Sequence, residues 1–289
     1  MSRPPEELVS TRNNWFQKVE TVTRNRKKRW AHRVFLVEGV RSLNALLAHP
    51  EWEVEALLYA DGEALSKWAD DMLDHLPARY HLKFAPELMA EVSDREDTSE
   101  LMALVRIPPI DDQRLEIGPN GLVVVLDRPG NPGNLGSVIR SVDAFGAAGI
   151  VITGHAVDPF DPVTIRATAG SFFNVPISRV QGRAEFAGWL ESERGAGLQV
   201  LGTSARGTKS LFECDLTGRT LLVMGNETDG ISAWLREQCD VLARFDMQGE
   251  ASSLNLACAT TAILSEAARQ RSRHEPRDEP PVSGSSFIR

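Results

Sequence analysis

The chain's 289 residues, 42% of them hydrophobic, exceed the usual size of one domain and predict two, each with an ordinary apolar core. No apolar run approaches a membrane span, and Met1-Ser-Arg-Pro-Pro-Glu-Glu opens without the apolar stretch of a secretion signal, so a cytoplasmic protein is expected. Cys214, Cys239 and Cys258 are odd in number and lack C-x-x-C spacing, which argues against a disulfide framework or a zinc site.

The net charge of −8 is unevenly spread. Residues 1–33 carry nine Lys and Arg against three Glu, an excess of six that leaves the remaining chain at −14. The densest part is Arg24-Asn-Arg-Lys-Lys-Arg-Trp-Ala-His-Arg33. Arg24, Arg26, Lys27, Lys28 and Arg29 are therefore candidate contacts to a nucleic-acid phosphate backbone, which is bound mainly through such side chains. A solvated helix face is the plainer alternative.

Residues from about 12 to 107 read as a small α/β unit. Phe35–Val37 and Ala56–Tyr59 are short apolar runs suited to buried strands. Between them Ser42–His49 reads as a helix ended by Pro50, and further helices are expected over 63–76 and 86–92. Residues 108–120 carry turn residues and little periodicity, the pattern of a linker. From 121 onward strand–loop–helix units repeat, which predicts a mainly parallel sheet. Its strands are expected at Leu122–Leu126, Ile150–Ile152, Leu198–Leu201 and Leu221–Met224, and its helices at 134–146, 183–194, 232–239 and 253–272. The polar tail 273–289 reads as disordered.

Three loops in this second unit are polar where packing would ask for Leu or Val. Asp127-Arg-Pro-Gly-Asn-Pro-Gly-Asn-Leu-Gly136 has GxxGxxG spacing rather than the dinucleotide-binding GxGxxG. Asn134 is placed to cap the helix that follows. On that helix Arg140 lies off the apolar stripe, beside Ser137, Ser141 and Ala144, from where it can lean back toward the strand end. Gly225-Asn-Glu-Thr-Asp-Gly230 follows a buried strand, and its glycines allow close backbone approach to a ligand. Ser253-Leu-Asn255 opens the last helix. Loops that each follow a strand of a parallel sheet converge at one edge, where such sheets bind ligands. Each loop taken singly is also an ordinary turn. No catalytic His or Cys, metal-ligand spacing or nucleophile-elbow serine stands out, so the site can bind, orient and stabilise charge, which suits a reaction supplied with an already activated group.

NxGxxxR after a strand, a GNExxG loop and SLN before the last helix together resemble the SpoU, or TrmH-type, RNA 2′-O-methyltransferases of the SPOUT superfamily, across residues 121–272. Asn25-Arg-Lys and Phe35-Leu-Val-Glu-Gly-Val-Arg41 resemble that family's L30e-like substrate-binding domain within residues 1–107, which adds Arg41 to the RNA candidates. Leu57-Leu-Tyr, Leu65-Ser-Lys-Trp-Ala69 and Asn131-Pro-Gly-Asn134 are similar to a branch that methylates 23S rRNA and confers antibiotic resistance.

The resemblance implies an α/β fold with a deep carboxy-terminal trefoil knot, an exception to the rule against threaded chains, and a homodimer binding S-adenosyl-L-methionine without metal. By motif, the chemistry falls to Asn134, Arg140, Glu227, Ser253 and Asn255. Cofactor contacts fall to Thr203, Gly225, Asn226, Phe245, Met247 and Leu254, many through backbone groups. In the family the arginine activates the ribose hydroxyl, although a guanidinium is normally no base. One departure concerns the family's Ile-Pro-Met, which stands here as Phe245-Asp246-Met247; that loop loses a stiffening proline and gains a carboxylate. A tRNA methyltransferase and a non-catalytic RNA-binding protein on the same fold are the alternatives.

Overall fold

The computed structural model describes residues 4–93, 97–109, 115, 117–180 and 182–272. The tail expected at 273–289 and part of the linker lie outside the described residues. The first half holds β1 (Glu6–Val9), α1 (Asn14–Arg24), α2 (Arg26–His32), β2 (Val34–Glu38), α3 (Val40–Leu47), β3 (Val54–Ala60), α4 (Lys67–His75), β4 (Ala78–Phe84), α5 (Pro86–Val92) and β5 (Leu101–Arg106). Its sheet runs β1-β4-β3-β5-β2 and is mixed: β4 pairs parallel with β1 and β3, while β5 pairs antiparallel with β3 and β2.

The second half holds β6 (Leu122–Asp127), α6 (Pro132–Ala144), β7 (Gly149–Thr153), α7 (Pro162–Ala167), β8 (Ile177–Val180), α8 (Arg183–Gly195), β9 (Gln199–Thr203), β10 (Lys209–Ser210), β11 (Thr220–Met224), α9 (Ala233–Glu237), β12 (Val241–Arg244) and α10 (Leu256–Arg271). Its sheet runs β10-β12-β9-β11-β6-β7-β8, and every pair is parallel. A parallel sheet is covered on both faces, so its central strands read as near-continuous apolar runs. In β6, Leu122, Val124 and Leu126 pack with residues of α6, α7 and α10, while Val123 and Val125 pack with residues of α8 and α9. β11 divides the same way, Leu222 and Met224 against Leu221 and Val223.

Several elements differ from the sequence reading. β4 and β5 were not expected: β4 interleaves Arg79, Tyr80, His81 and Lys83 among its apolar residues, and β5 is written in Leu, Met and Ala, which favour helices in isolation. The helix expected at 63–76 begins at Lys67, because Ser66 caps it by accepting from Ala69 N. The helix expected at 134–146 begins two residues earlier, at Pro132.

A correction to the basic segment decides how the two sheets dock. Arg29, expected at an RNA phosphate, is 1% exposed. Its guanidinium pairs with Asp158 at 2.8 Å and Asp161 at 3.0 Å, and donates to the carbonyls of Val22 and Thr23. Trp30 donates to the same Asp158 at 3.2 Å, and Arg26 donates to the Ala156 carbonyl at 2.7 Å. Beside this network, Phe35 and Trp52 of the first half meet Phe160, Phe172 and Phe173 of the second, with ring centroids 5.0–5.8 Å apart. The physical reason is geometric: α2 presents alternate faces, so Arg29 and Trp30 point inward while Lys27 and Lys28 stay exposed.

Removing one partner of a buried ion pair leaves the other charged and desolvated, which costs about 3–5 kcal/mol. Urea denaturation of Arg29→Ala should show a loss of that order. Lys28→Ala, on the exposed face, should stay within about 0.5 kcal/mol of wild type.

Candidate active site

β6 and β11 are neighbours, and the loops leaving their carboxyl ends carry the first two motifs side by side. The first loop turns into α6 through Asn131, whose side chain accepts from Asn134 N at 3.0 Å, with Pro132 at the first helical position. Asn131 is therefore the cap and Asn134 is not, contrary to expectation, because Pro132 starts the helix before Asn134 is reached. This frees the Asn134 side chain.

The second loop is a tight turn in which Asn226 and Gly230 exchange backbone hydrogen bonds at 3.1 and 3.0 Å. A Cβ on Gly225 would stand 2.3 Å from the Gly230 carbonyl carbon, so only glycine fits there. The Asn226 carboxamide is consumed inside the loop: its oxygen accepts from Thr228 N and Asp229 N, and its nitrogen donates to the Arg128 carbonyl at 2.6 Å. Asn226 thus has backbone groups, rather than its side chain, to offer a ligand.

The freed Asn134 links all three motifs. Its Nδ2 donates to Glu227 Oε1 at 2.9 Å, and Gly130 N donates to Glu227 Oε2 at 3.0 Å. Asn255 Nδ2 donates to Asn134 Oδ1 at 2.9 Å. Asn255 is itself the cap of α10, with its oxygen accepting from Ala257 N and Cys258 N. The orientation of each amide follows from chemistry. A carboxylate only accepts, so Asn134 must turn its NH2 to Glu227 and its oxygen to Asn255, whose oxygen in turn faces the helix. Burial pushes the Glu227 carboxyl's pKa up, but the hydrogen bonds from Asn134, Gly130 and the neighbouring backbone outweigh it and leave a net lowering. Glu227 is therefore an ionised anchor with both oxygens engaged.

Arg140 and Ser253 stand outside this chain of bonds. Arg140 is exposed on α6, six residues and roughly 9 Å along the axis from Asn134, and it makes no hydrogen bond or ion pair among the described residues. Ser253 is exposed two residues before the α10 cap.

The cofactor candidates lie at the ends of three adjacent strands. Thr203 ends β9, Gly225 follows β11, and Phe245 and Met247 follow β12, in the sheet order β12-β9-β11. Met247 and Leu254 are 38% and 43% exposed, high for large apolar side chains. The Thr203 hydroxyl donates to the Val223 carbonyl at 3.3 Å. Asp246 is held by the Ser210 hydroxyl and by Arg244 at 3.1 Å, so polar bonds restrain the loop that lacks the proline.

Arg128, within the first motif, is a residue whose part in the site the sequence does not reveal. Its φ of 53° is a left-handed backbone that costs a non-glycine residue. It is kept there by Asp127 at 3.2 Å, by donation to the Gly230 carbonyl at 3.2 Å and by the Asn226 bond to its own carbonyl. The only sequence signal was an arginine between a buried strand and Pro-Gly.

Against this geometry, the profile of the SpoU rRNA methylase family matches residues 121–265, and that of the SpoU L30e-like domain matches residues 13–103. The chain belongs to the SpoU rRNA methylase family. It is 41% identical to the 23S rRNA (uridine(2479)-2′-O)-methyltransferase of Streptomyces viridochromogenes over 271 residues, 93% of this chain and 94% of that one. The crystal structure of the SpoU methyltransferase AviRb from the same organism, in complex with AdoMet, matches with a TM-score of 0.85 at 41% identity, covering 90% of this chain and 99% of that one. An AdoMet-bound rRNA methyltransferase from Sinorhizobium meliloti matches with a TM-score of 0.78 at 31% identity, over 91% and 98% of the two chains. All three motif loops fall inside the SpoU methylase match, and Arg24 to Arg29 and Arg41 fall inside the L30e-like match.

The network predicts separable effects. Asn131→Ala should cost about 1 kcal/mol through the lost cap, read by thermal melting, with the Asn134–Glu227 bond retained. Asn134→Ala should leave the cap intact and abolish methyl transfer. A folded carboxyl more acidic than the unfolded one stabilises fully above the unfolded pKa, roughly 4.3, and loses that contribution as the pH falls through the folded value. Melts from about pH 6 down to about pH 3 should therefore show wild type losing stability relative to Glu227→Gln in that acid window.

Proposed function

We propose that this SpoU-family chain transfers a methyl group from S-adenosyl-L-methionine to a ribose 2′-hydroxyl of structured RNA, with 23S rRNA favoured over tRNA. The observation that carries the proposal is the chain of hydrogen bonds from Asn255 through Asn134 to Glu227, which draws three sequence-distant motifs into one constellation. The relatives named above supply the RNA class, and the L30e-like match over residues 13–103 supports reading the first half as the RNA-binding domain. We read residues 1–107, 121–272 and 273–289 as substrate-binding domain, catalytic domain and tail, with 108–120 between the domains. A trefoil knot in the catalytic domain, a homodimer and a cytoplasmic location complete this reading. A role in resistance to a ribosome-targeting antibiotic fits it as well.

The residues present suit the cofactor. Exposed Met247 and Leu254 and half-buried Phe245 offer apolar cover, while Gly225 and Asn226 offer backbone groups at strand ends. When bound, S-adenosyl-L-methionine supplies an activated methyl on its sulfonium. The protein must then orient the ribose and ease proton loss from a poor nucleophile. Glu227 is no free base, because both its oxygens are occupied. Arg140, with a guanidinium that keeps its proton, favours the developing alkoxide electrostatically, directly or through an RNA phosphate. Asn134, held at both ends, and Ser253 fix the approach, and orientation of this kind supplies much of a rate enhancement.

Calorimetry should detect S-adenosyl-L-methionine binding without added metal, and the protein should label 23S rRNA from the donor methyl. Arg140→Ala should abolish transfer and leave cofactor affinity nearly unchanged; normal turnover by that variant would displace Arg140 from the active centre. RNA binding without any methyl transfer by wild type would favour the non-catalytic alternative. Half-buried Arg26 is engaged at the Ala156 carbonyl, so on the RNA side exposed Arg24, Lys27, Lys28 and Arg41 lead. Neutralising them should weaken RNA binding and reduce the log–log salt slope by roughly 0.7–0.9 per lost contact. An unchanged slope would mark a merely solvated cluster.

A further inference from the structure

A second cleft opens at the carboxyl ends of β6, β7 and β8, on the far side of the 225–230 loop from the cofactor candidates. It has a volume of about 220 Å³, below the ~300–1,000 Å³ of sites that enclose a drug-sized ligand, so it is suited to one planar ring system. Its walls include Arg128, Arg183 and Trp234, with Gly154 and Gly182 between them.

The chemistry of those walls selects a partner. Arg183 is exposed at the start of α8, and its guanidinium carbon lies 5.8 Å from the centre of the half-buried Trp234 ring. Trp234 is braced edge-on by buried Phe186, with ring centroids 5.6 Å apart. An aromatic ring and a neighbouring guanidinium are the groups on which unstacked RNA bases stack. The one carboxylate in the wall, Asp127, is neutralised. It accepts from Arg128, from Thr153 Oγ1 at 3.2 Å and from Ser232 N at 2.7 Å, so it does not repel an anionic chain. Arg128 also touches the catalytic loop, through the Gly230 carbonyl and at 3.7 Å from Asp229. A base seated here is therefore one wall away from Glu227 and Asn134.

We propose that this cleft holds one unstacked base of the substrate RNA, a neighbour of the methylated nucleotide, stacked on Trp234 and Arg183. This rests on the RNA methyltransferase reading and deepens it: the enzyme recognises a single-stranded element, and part of its substrate choice is made by the Arg183–Trp234 platform. Stacking is tolerant of sequence, so the pocket selects for an unpaired position more than for a particular base.

The test uses the full-length protein and a short 23S rRNA fragment containing the methylated position. Arg183→Ala and Trp234→Leu should each raise the KM for RNA about tenfold, as loss of a base stack worth ~1–3 kcal/mol requires, with S-adenosyl-L-methionine affinity unchanged. A series of fragments, each with one abasic nucleotide near the target, should include one position whose loss weakens wild type by the same factor and the Trp234→Leu variant not at all. Trp234→Phe, which keeps an aromatic face and protects the fold, should retain most of the affinity. If wild type methylates the fragment but both variants bind it normally, or if no abasic position loses its effect in Trp234→Leu, the base pocket is wrong and the methyltransferase reading stands. If wild type neither binds nor methylates RNA, both fall together.

Discussion

The two sheets meet in one register across a buried, charged junction. An arginine 1% exposed, shared between Asp158 and Asp161 across the junction, enforces this. Buried ion pairs add little net stability compared with apolar packing, but they are unforgiving of misalignment, since a displaced partner is left charged and dry. The neighbouring aromatic cluster supplies the cohesion and the ion pair supplies the register. Asp158 receives Arg29, Trp30 and the Phe160 amide together, so one carboxylate reads the position of α2 and of its own loop.

Within the second half the same principle operates at smaller scale. Glu227 is held by a helix-entry amide and by Asn134, while Asn255 is held by the first turn of α10. Each donor and acceptor has one compatible orientation, so the constellation is assembled before substrate arrives. Such pre-organisation is where an enzyme without covalent catalysis finds its advantage.

The sheet of the second half was legible because burial on both faces writes strands as near-continuous apolar runs: β6, β7 and β11 announce themselves, and β9 does so with one glutamine in its run. β8, β10 and β12 did not, being edge or near-edge strands of four residues or fewer with half their positions polar or small. The three motif loops were legible as polar interruptions, and the strands that precede two of them implied that they meet. Which side chains would join was not legible. Asn131 and Asn134 are equally good caps on paper, and only the position of Pro132 assigns the cap to one and the bond to Glu227 to the other. Arg29 was misread for a related reason. Five cations in six residues look alike in a string, and the burial of one depends on two aspartates about 130 positions away.

The replacement of a family proline by Asp246 changes the thermodynamic character of the loop next to the cofactor candidates. Proline stiffens a loop by thinning out the unfolded ensemble, an entropic effect indifferent to salt. Asp246 restrains the same stretch through Arg244 and the Ser210 hydroxyl; the ion pair is more than a third exposed, and such pairs weaken as ions screen them. The restraint on the backbone between β12 and α10 is thereby electrostatic in kind, and it loosens as salt rises where a proline's would not.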